Sequence, residues 1–302
     1  MGEAHERFST RRKHLVTSVS IIGPNGQLGS DLVKVFTKAG WNVVPITHTE
    51  ISIENPESVS GALQSARTVW VINTAAFHNV DECEKDSEKA WKINAYGAKN
   101  VAITARELEM RAVFISSDYV YSGNKGASYF ESDPVSPVNA YGHSKAGGEA
   151  ATLAASEKNL VIRIASVFGS AGSRGKGGNF VETIISKAKA GDPLSVVDDI
   201  LMSPTYTVDA AQKILELLNS NQNGIFNATN SGSVTWFGFA QEILEQTKLV
   251  TELSASKTNW KSPLKRPKNS SLEIRKIENL SKNLPDWSDG LRRYLIEKGH
   301  IQ

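Results

Sequence analysis

Apolar positions along the chain follow two rhythms. Short, near-continuous apolar runs occupy 16–22, 42–46, 69–72, 112–116 and 160–164. Between them, at 28–39, 56–66, 85–109 and 140–157, apolar residues recur at helical spacing. An apolar run without polar alternation predicts a strand buried on both faces, and a 3.6-residue period predicts an amphipathic helix. Their strict alternation predicts an α/β fold, a doubly wound parallel sheet with helices on both sides. After residue 166 the rhythm loosens. Helices are predicted at 179–190, 207–219 and 236–247, with a short strand at 225–228. Trp236, Phe237 and Phe239 form the expected core face of the third of these helices, with Thr235 as its N-cap. The Gly-rich stretch 170–178 and the Lys-, Ser- and Asn-rich stretch 251–285 are predicted as loop, the latter around short elements.

These patterns divide the chain into a flexible tail at 1–14, a core at 15–165, and a region at 166–302 expected mainly to bind substrate. Part of that last region is free to return to the core sheet. The tail carries Arg11, Arg12 and Lys13 and has an Arg-rich import segment as its alternative reading. The apolar stretch after it is too short and too β-branched for a signal peptide.

Composition narrows the chemistry. The 302 residues are 40% hydrophobic and 22% charged, ordinary for a globular protein. The single cysteine, Cys83, excludes an intrachain disulfide and a Cys-rich zinc cluster, and a buried structural role is expected for it. The net charge of +2 gives no global reason to expect nucleic acid or an anionic membrane. No stretch reaches the ~18–20 apolar residues of a membrane span. His5, His14, His48, His78, His143 and His300 show no metal-ligand spacing, so no metal is expected. A cytoplasmic enzyme fits these limits.

The first strand runs into Gly23-Pro24-Asn25-Gly26-Gln27-Leu28-Gly29 and then a helix. In such a loop the first Gly allows the tight turn and the second lets backbone approach a pyrophosphate. The third lets helix and strand pack closely. The helix N-terminus adds free N–H groups and a positive dipole end. This predicts a Rossmann-like dinucleotide site. The second strand ends in Pro45-Ile46-Thr47-His48-Thr49-Glu50, with neutral or weakly basic residues nearest its end. That favours NADP(H), with His48 as a phosphate contact. NAD(H) stays open because Glu50 is within reach of a ribose.

Tyr141-Gly142-His143-Ser144-Lys145 places Tyr and Lys at i and i+4 on one helix face. A neighbouring ammonium lowers a tyrosine's pKa, which suits Tyr141 to protonate an oxyanion formed by hydride attack on a ketone. The strand at 112–116 delivers Ser117 to the sheet edge where ligands of doubly wound folds bind, able to hydrogen-bond the carbonyl oxygen.

Together these segments resemble the extended short-chain dehydrogenase/reductase superfamily and, within it, the dTDP-4-dehydrorhamnose reductase family. Further carriers are Asn73-Thr74-Ala75-Ala76, Val80-Asp81-x-x-Glu84, Asn94-Ala95, Gly178-Asn179-Phe180, Ser203-Pro204-Thr205, Arg266-Pro267 and Leu284-Pro285-Asp286-Trp287. The resemblance implies Tyr141 as catalytic acid and Lys145 as the group that tunes it and holds the nicotinamide ribose. It implies Ser117 as the polariser of the keto group. Gly23, Gly26, Gln27, Leu28 and Gly29 would cradle the pyrophosphate, with Ala75 and Ala76 near the cofactor ribose. Asn94 would steady local backbone or a proton relay. Asn179 and Thr205 would face a nucleotide sugar.

Departures fall on the substrate side. Ser166 stands where an aromatic is common, Asp198–Ser203 differs from the usual loop, and Phe77-His78 replaces a His-Thr-type pair. The expected activity is NADPH-dependent reduction of the C4 ketone of a nucleotide-linked 4-keto-6-deoxy sugar, dTDP-4-dehydrorhamnose being the leading candidate. Two alternatives stand beside it: a non-catalytic cofactor-binding subunit regulating methionine adenosyltransferase, and a nucleotide-sugar epimerase or dehydratase. A homodimer is left open. Lys261, Lys265, Arg266 and Lys268 are either a solvated basic face or an attraction for a diphosphate.

Overall fold

A computed structural model describes residues 17–172, 178–259, 261, 263–280 and 285–302. The predicted tail, positions 173–177 of the Gly-rich stretch and Leu284 lie outside these residues. In chain order the first half comprises β1 (Ser18–Ile22), α1 (Gln27–Lys38), β2 (Asn42–Ile46), α2 (Pro56–Ala66) and β3 (Trp70–Asn73). It continues with α3 (Val80–Lys85), α4 (Ser87–Trp91), a π-turn at Lys92–Gly97, α5 (Ala98–Glu107), β4 (Arg111–Ser117), α6 (Ala140–Ala155) and β5 (Leu160–Ile164). Beyond it come β6 (Val167–Phe168), α7 (Phe180–Ala190), β7 (Leu194–Val197), β8 (Leu201–Met202), β9 (Thr205–Tyr206) and α8 (Thr207–Asn219). The chain closes with β10 (Gly224–Asn227), β11 (Val234–Thr235), α9 (Trp236–Thr247), β12 (Leu253–Ser256), α10 (Arg275–Glu278) and α11 (Trp287–Glu297).

Six strands form one parallel sheet in the order β10-β5-β4-β3-β1-β2. Successive side chains of a strand point to opposite faces, so a sheet covered on both sides needs apolar residues at every position. Val19, Ile21, Ile72 and Val113 pack on one face with Leu32 and Phe36 of α1 and Ile214 of α8. Ile22, Val71 and Ala112 pack on the other with Val59 of α2 and Val101 of α5. The chain leaves β1 for β2 on one side, then crosses back to β3 on the other. Loops after β1 and β3 therefore part, opening a crevice at the C-terminal sheet edge. A second core forms where Phe168, Ile184, Phe239 and Leu291 meet between α7, α9 and α11. No helix among the described residues is long and apolar enough to cross a membrane.

Two features differ from the sequence pattern. The helix expected over 85–109 is broken at Asp86, whose backbone (φ −131°) leaves helical geometry while its side chain caps Lys89 N. It is widened again by the π-turn, which turns Asn94 fully inward. One extra residue in a turn does not alter a periodicity read over two dozen positions, so the π-turn has no signature in the pattern. As the sequence left open for part of the region after 166, α8 and β10 lie with the core: α8 packs on α1's side of the sheet, and β10 extends the sheet beyond β5. The change of rhythm at 166 is thus not a clean spatial boundary.

An ion pair locks α6 to β5. Arg163 Nε donates to Glu149 Oε1 at 2.8 Å and Arg163 Nη2 to Glu149 Oε2 at 2.6 Å, both side chains being buried. Arg163 also donates to the Tyr121 hydroxyl. Removing one partner would strand the other charge in a dry interior. Glu149→Ala should therefore lower the unfolding free energy by about 3–5 kcal/mol in chemical denaturation.

Candidate active site

The glycine loop is built by close approach. Gly23 has φ +80°, and a Cβ there would lie 2.7 Å from Thr74 Oγ1. That hydroxyl donates to Ile22 O at 2.7 Å, tying the end of β3 to the turn after β1. At Gly29 a Cβ would stand 2.1 Å from Gly23 O, so only glycine lets α1 begin this close to the turn. Gly26 is the N-cap of α1; it offers no side-chain cap, and the first turn carries no acid. Uncapped N–H groups at a close-packed helix start fit a pyrophosphate. Leu28 is buried beneath this turn, and Ala75 and Ala76 are half-buried along the loop after β3. His48 is exposed just beyond the end of β2. Glu50 is folded back: its Oε2 accepts from Thr47 N at 2.8 Å and Thr47 Oγ1 at 2.7 Å, and these bonds hold its carboxyl below the usual range.

Ser117, Tyr141 and Lys145 come together from β4 and α6. Asn139 starts α6, its side chain accepting from Gly142 N at 2.8 Å, and Glu84 of α3 accepts from Ala140 N at 2.9 Å. Gly142 lets α6 press onto the chain after β4, because a Cβ there would lie 2.1 Å from Tyr119 O. One turn on, Lys145 is buried, donates to Ile115 O at 2.6 Å and lies 4.1 Å over the Phe114 ring. The Ser117 hydroxyl hydrogen-bonds Tyr141, and Tyr119 packs edge-on against the Tyr141 ring at 5.8 Å. Burial sets the charge states. It pushes the Tyr141 hydroxyl well above the ordinary tyrosine value, against a smaller lowering by Ser117. It pushes Lys145 down to about 7, opposed by the nearby Glu149 carboxylate. The lowering of Tyr141 by Lys145 expected from their spacing is therefore not what the structure gives: burial outweighs it, and Tyr141 stays a proton-bearing phenol.

Asn94 fastens the loop after β3. Its Oδ1 accepts from Phe77 N, and its Nδ2 donates to Phe77 O and to Ser144 Oγ, each at 2.9 Å. The π-turn thus joins that loop to α6, and of the two roles expected for Asn94 the backbone one is visible. Cys83 is fully buried and donates to Phe77 O. His143 is exposed, on the far side of α6 from the cleft-facing pair.

On the other side of the crevice, Thr205 is buried and donates to Ser203 O at 3.2 Å. Asn179 caps α7 by accepting from Glu182 N at 3.1 Å, while its amide nitrogen faces Gln27, Gly169 and Tyr294. Neither contacts the Ser117–Tyr141 pair. Ser166 adopts φ +43°, and its carbonyl accepts from Thr205 N at 3.3 Å.

Asp118, the single acid beside Ser117 where a dehydratase would need an acidic pair, lies next to the site. It is buried, accepts from Ser117 Oγ at 2.9 Å, and burial raises its carboxyl to about 6. Arg266, part of the basic cluster, pairs with Asp81 at 3.0 Å and hydrogen-bonds Tyr119, whose ring packs on Tyr141.

The chain is similar to known proteins over nearly its whole length. Residues 17–299 match the family described as the RmlD substrate binding domain. The chain is 36% identical to the spore coat polysaccharide biosynthesis protein SpsK of Bacillus subtilis, over 94% of this chain and 98% of that one. It is 31% identical to the dTDP-4-dehydrorhamnose reductase of Escherichia coli, over 93% and 97% of the two chains. The crystal structure of dTDP-4-dehydrorhamnose reductase from Bacillus anthracis, in complex with NADP, superposes with a TM-score of 0.88 at 32% identity. It covers 93% of this chain and 99% of that one.

The contact at Gly29 gives a direct check. Gly29→Ala must move the loop backbone rather than a flexible side chain. It should cost about 1–3 kcal/mol of stability in chemical denaturation, the usual range for overpacking.

Proposed function

The chain belongs to the RmlD substrate-binding-domain family of NAD(P)-dependent oxidoreductases, and from that premise we propose that it reduces the C4 ketone of a nucleotide-linked 4-keto-6-deoxy sugar. The leading substrate is dTDP-4-dehydrorhamnose, in the cytoplasm. One observation carries the reading: Ser117, Tyr141 and Lys145 meet at the same sheet edge as the close-packed glycine loop. A regulatory or purely binding role gives no reason for a half-buried tyrosine, hydrogen-bonded to Ser117, to stand one helical turn from a buried lysine at that edge.

The residues present fit a nicotinamide dinucleotide, since the turn at Gly23, Gly26 and Gly29 leaves backbone N–H groups uncapped where no Cβ intrudes. Gln27 and Leu28 begin the helix at that turn, and Ala75 and Ala76 border the loop across the crevice. When bound, the reduced cofactor supplies the hydride. The protein's part is to hold and protonate the oxygen. Tyr141 donates its proton to O4 of the sugar, and Ser117 holds the same oxygen. Lys145, as an ammonium, stabilises the phenolate that Tyr141 becomes. Residues after 166 would close over the sugar nucleotide, but Thr205, fully buried with its hydroxyl on Ser203 O, presents no group to it.

NADP(H) is favoured over NAD(H). The one carboxylate near the end of β2, on Glu50, is engaged by Thr47, which leaves exposed His48 to meet a 2′-phosphate. Binding titrations should give a lower Kd for NADPH than for NADH; the reverse order would remove His48 from the cofactor site.

Tyr141→Phe should lower turnover by about 10²–10⁴-fold in an NADPH-oxidation assay with the keto sugar, while cofactor binding persists. Undiminished turnover would rule the mechanism out. The pH profile carries a second check. Lys145 is an ammonium below about 7 and neutral above it. If the ammonium is the active form, kcat/KM for reduction should fall as pH rises through about 7.

A further inference from the structure

A chain of hydrogen bonds through Asn179 joins the glycine loop to the C-terminal helix. Gln27 Oε1 accepts from Gly169 N at 3.2 Å and from Asn179 Nδ2 at 3.4 Å. Asn179 Nδ2 also donates to Gly169 O at 3.3 Å and to the Tyr294 hydroxyl at 3.0 Å. Tyr294 in turn donates to Glu182 Oε1 at 2.6 Å, and the same carboxylate faces His300 Nε2 at 3.0 Å. Asn179 is only 8% exposed, and its Oδ1 is taken by Glu182 N. Every polar atom of Asn179 is therefore used inside the protein.

The consequence lies in the orientation of one amide. With two donors on Oε1, the Gln27 side chain cannot turn over without losing both. Its Nε2 then faces away from Asn179, and no described residue pairs with it. Gln27 is the first residue of α1, immediately after the uncapped Gly26. An N–H donor fixed at that point adds to the helix N-terminus as a partner for an anionic phosphate oxygen.

We propose that Asn179, held by Tyr294, is a positioning residue for the dinucleotide pyrophosphate, acting through the amide of Gln27 and not by contact with the sugar substrate. This rests on the cofactor site proposed above. It reassigns a residue that sequence resemblance places on the substrate side. It also gives the C-terminal helix a part in cofactor affinity, although α11 lies more than 250 residues from the glycine loop in the chain.

The test is NADPH binding in the absence of substrate, with dTDP as the control ligand. Asn179→Asp keeps an N-cap acceptor for α7 but removes the donor and sets an oxygen against Gln27 Oε1. A merely structural role would leave this variant's binding unchanged. The inference expects some loss of thermal stability and, at a temperature where the variant is still folded, a Kd for NADPH raised about tenfold with an unchanged Kd for dTDP. Asn179→Ala and Gln27→Ala should each weaken NADPH, and the double variant should be no weaker than Gln27→Ala alone, because the first acts through the second. Tyr294→Phe should give a smaller effect of the same sign. Unchanged NADPH binding in Asn179→Asp, weakening of dTDP instead, or effects that multiply in the double variant would overturn the inference while leaving the reductase reading intact. Failure of the wild-type protein to bind either nicotinamide nucleotide would overturn both.

Discussion

The site depends first on how closely two chain segments approach at the reversal of strand order. Thr74 Oγ1 reaches both Ile22 O and Gly23 O, so the end of β3 is stitched to the turn after β1. No side chain fits at Gly23 beneath that hydroxyl, and none fits at Gly29 above Gly23 O. The crevice therefore has a floor made of backbone. Backbone donors do not change length or rotamer, so an anion bound there meets a preorganised surface. Everything else in the site is located relative to that floor.

The catalytic side is positioned by a different means. Asn94 ties the loop after β3 to Ser144, and Glu84 ties α3 to the start of α6. Lys145 is drawn under the sheet edge by Ile115 O, and Glu149 is clamped by Arg163 one turn further along α6. The same burial that fixes these groups also sets their protonation. Tyr141 gains a stronger hold on its proton, Lys145 a weaker one, and Asp118 is raised towards neutrality. Desolvation disfavours the charged form of each group, so the phenol of Tyr141 stays neutral and proton-bearing.

Much of the fold was legible in the sequence. The strands at 42–46 and 160–164 and the helices at 56–66, 207–219 and 236–247 agree residue for residue with the structure. Each has a strong period or a good boundary signal, such as the Thr235 cap. The glycine spacing and the Tyr141–Lys145 interval were legible for the same reason: both are local, and local geometry follows from spacing along one element. The break at Asp86 and the π-turn were not. They exist because Asn94 must reach Phe77 and Ser144, partners 17 and 50 residues away.

What the sequence alone determined is therefore the order of buried strands and amphipathic helices, the turn that only glycine permits, and the residues able to carry a proton. The tertiary structure decided which of them act together. It brought β10 and α8 back to the core, turned Glu50 onto Thr47, set Asp118 against Ser117, and pointed Asn179 at Gln27. Periodicity and spacing encode burial along an element. Hydrogen bonds between residues 152 positions apart, as at Gln27 and Asn179, are set only when separate elements pack and leave polar groups that must be paired.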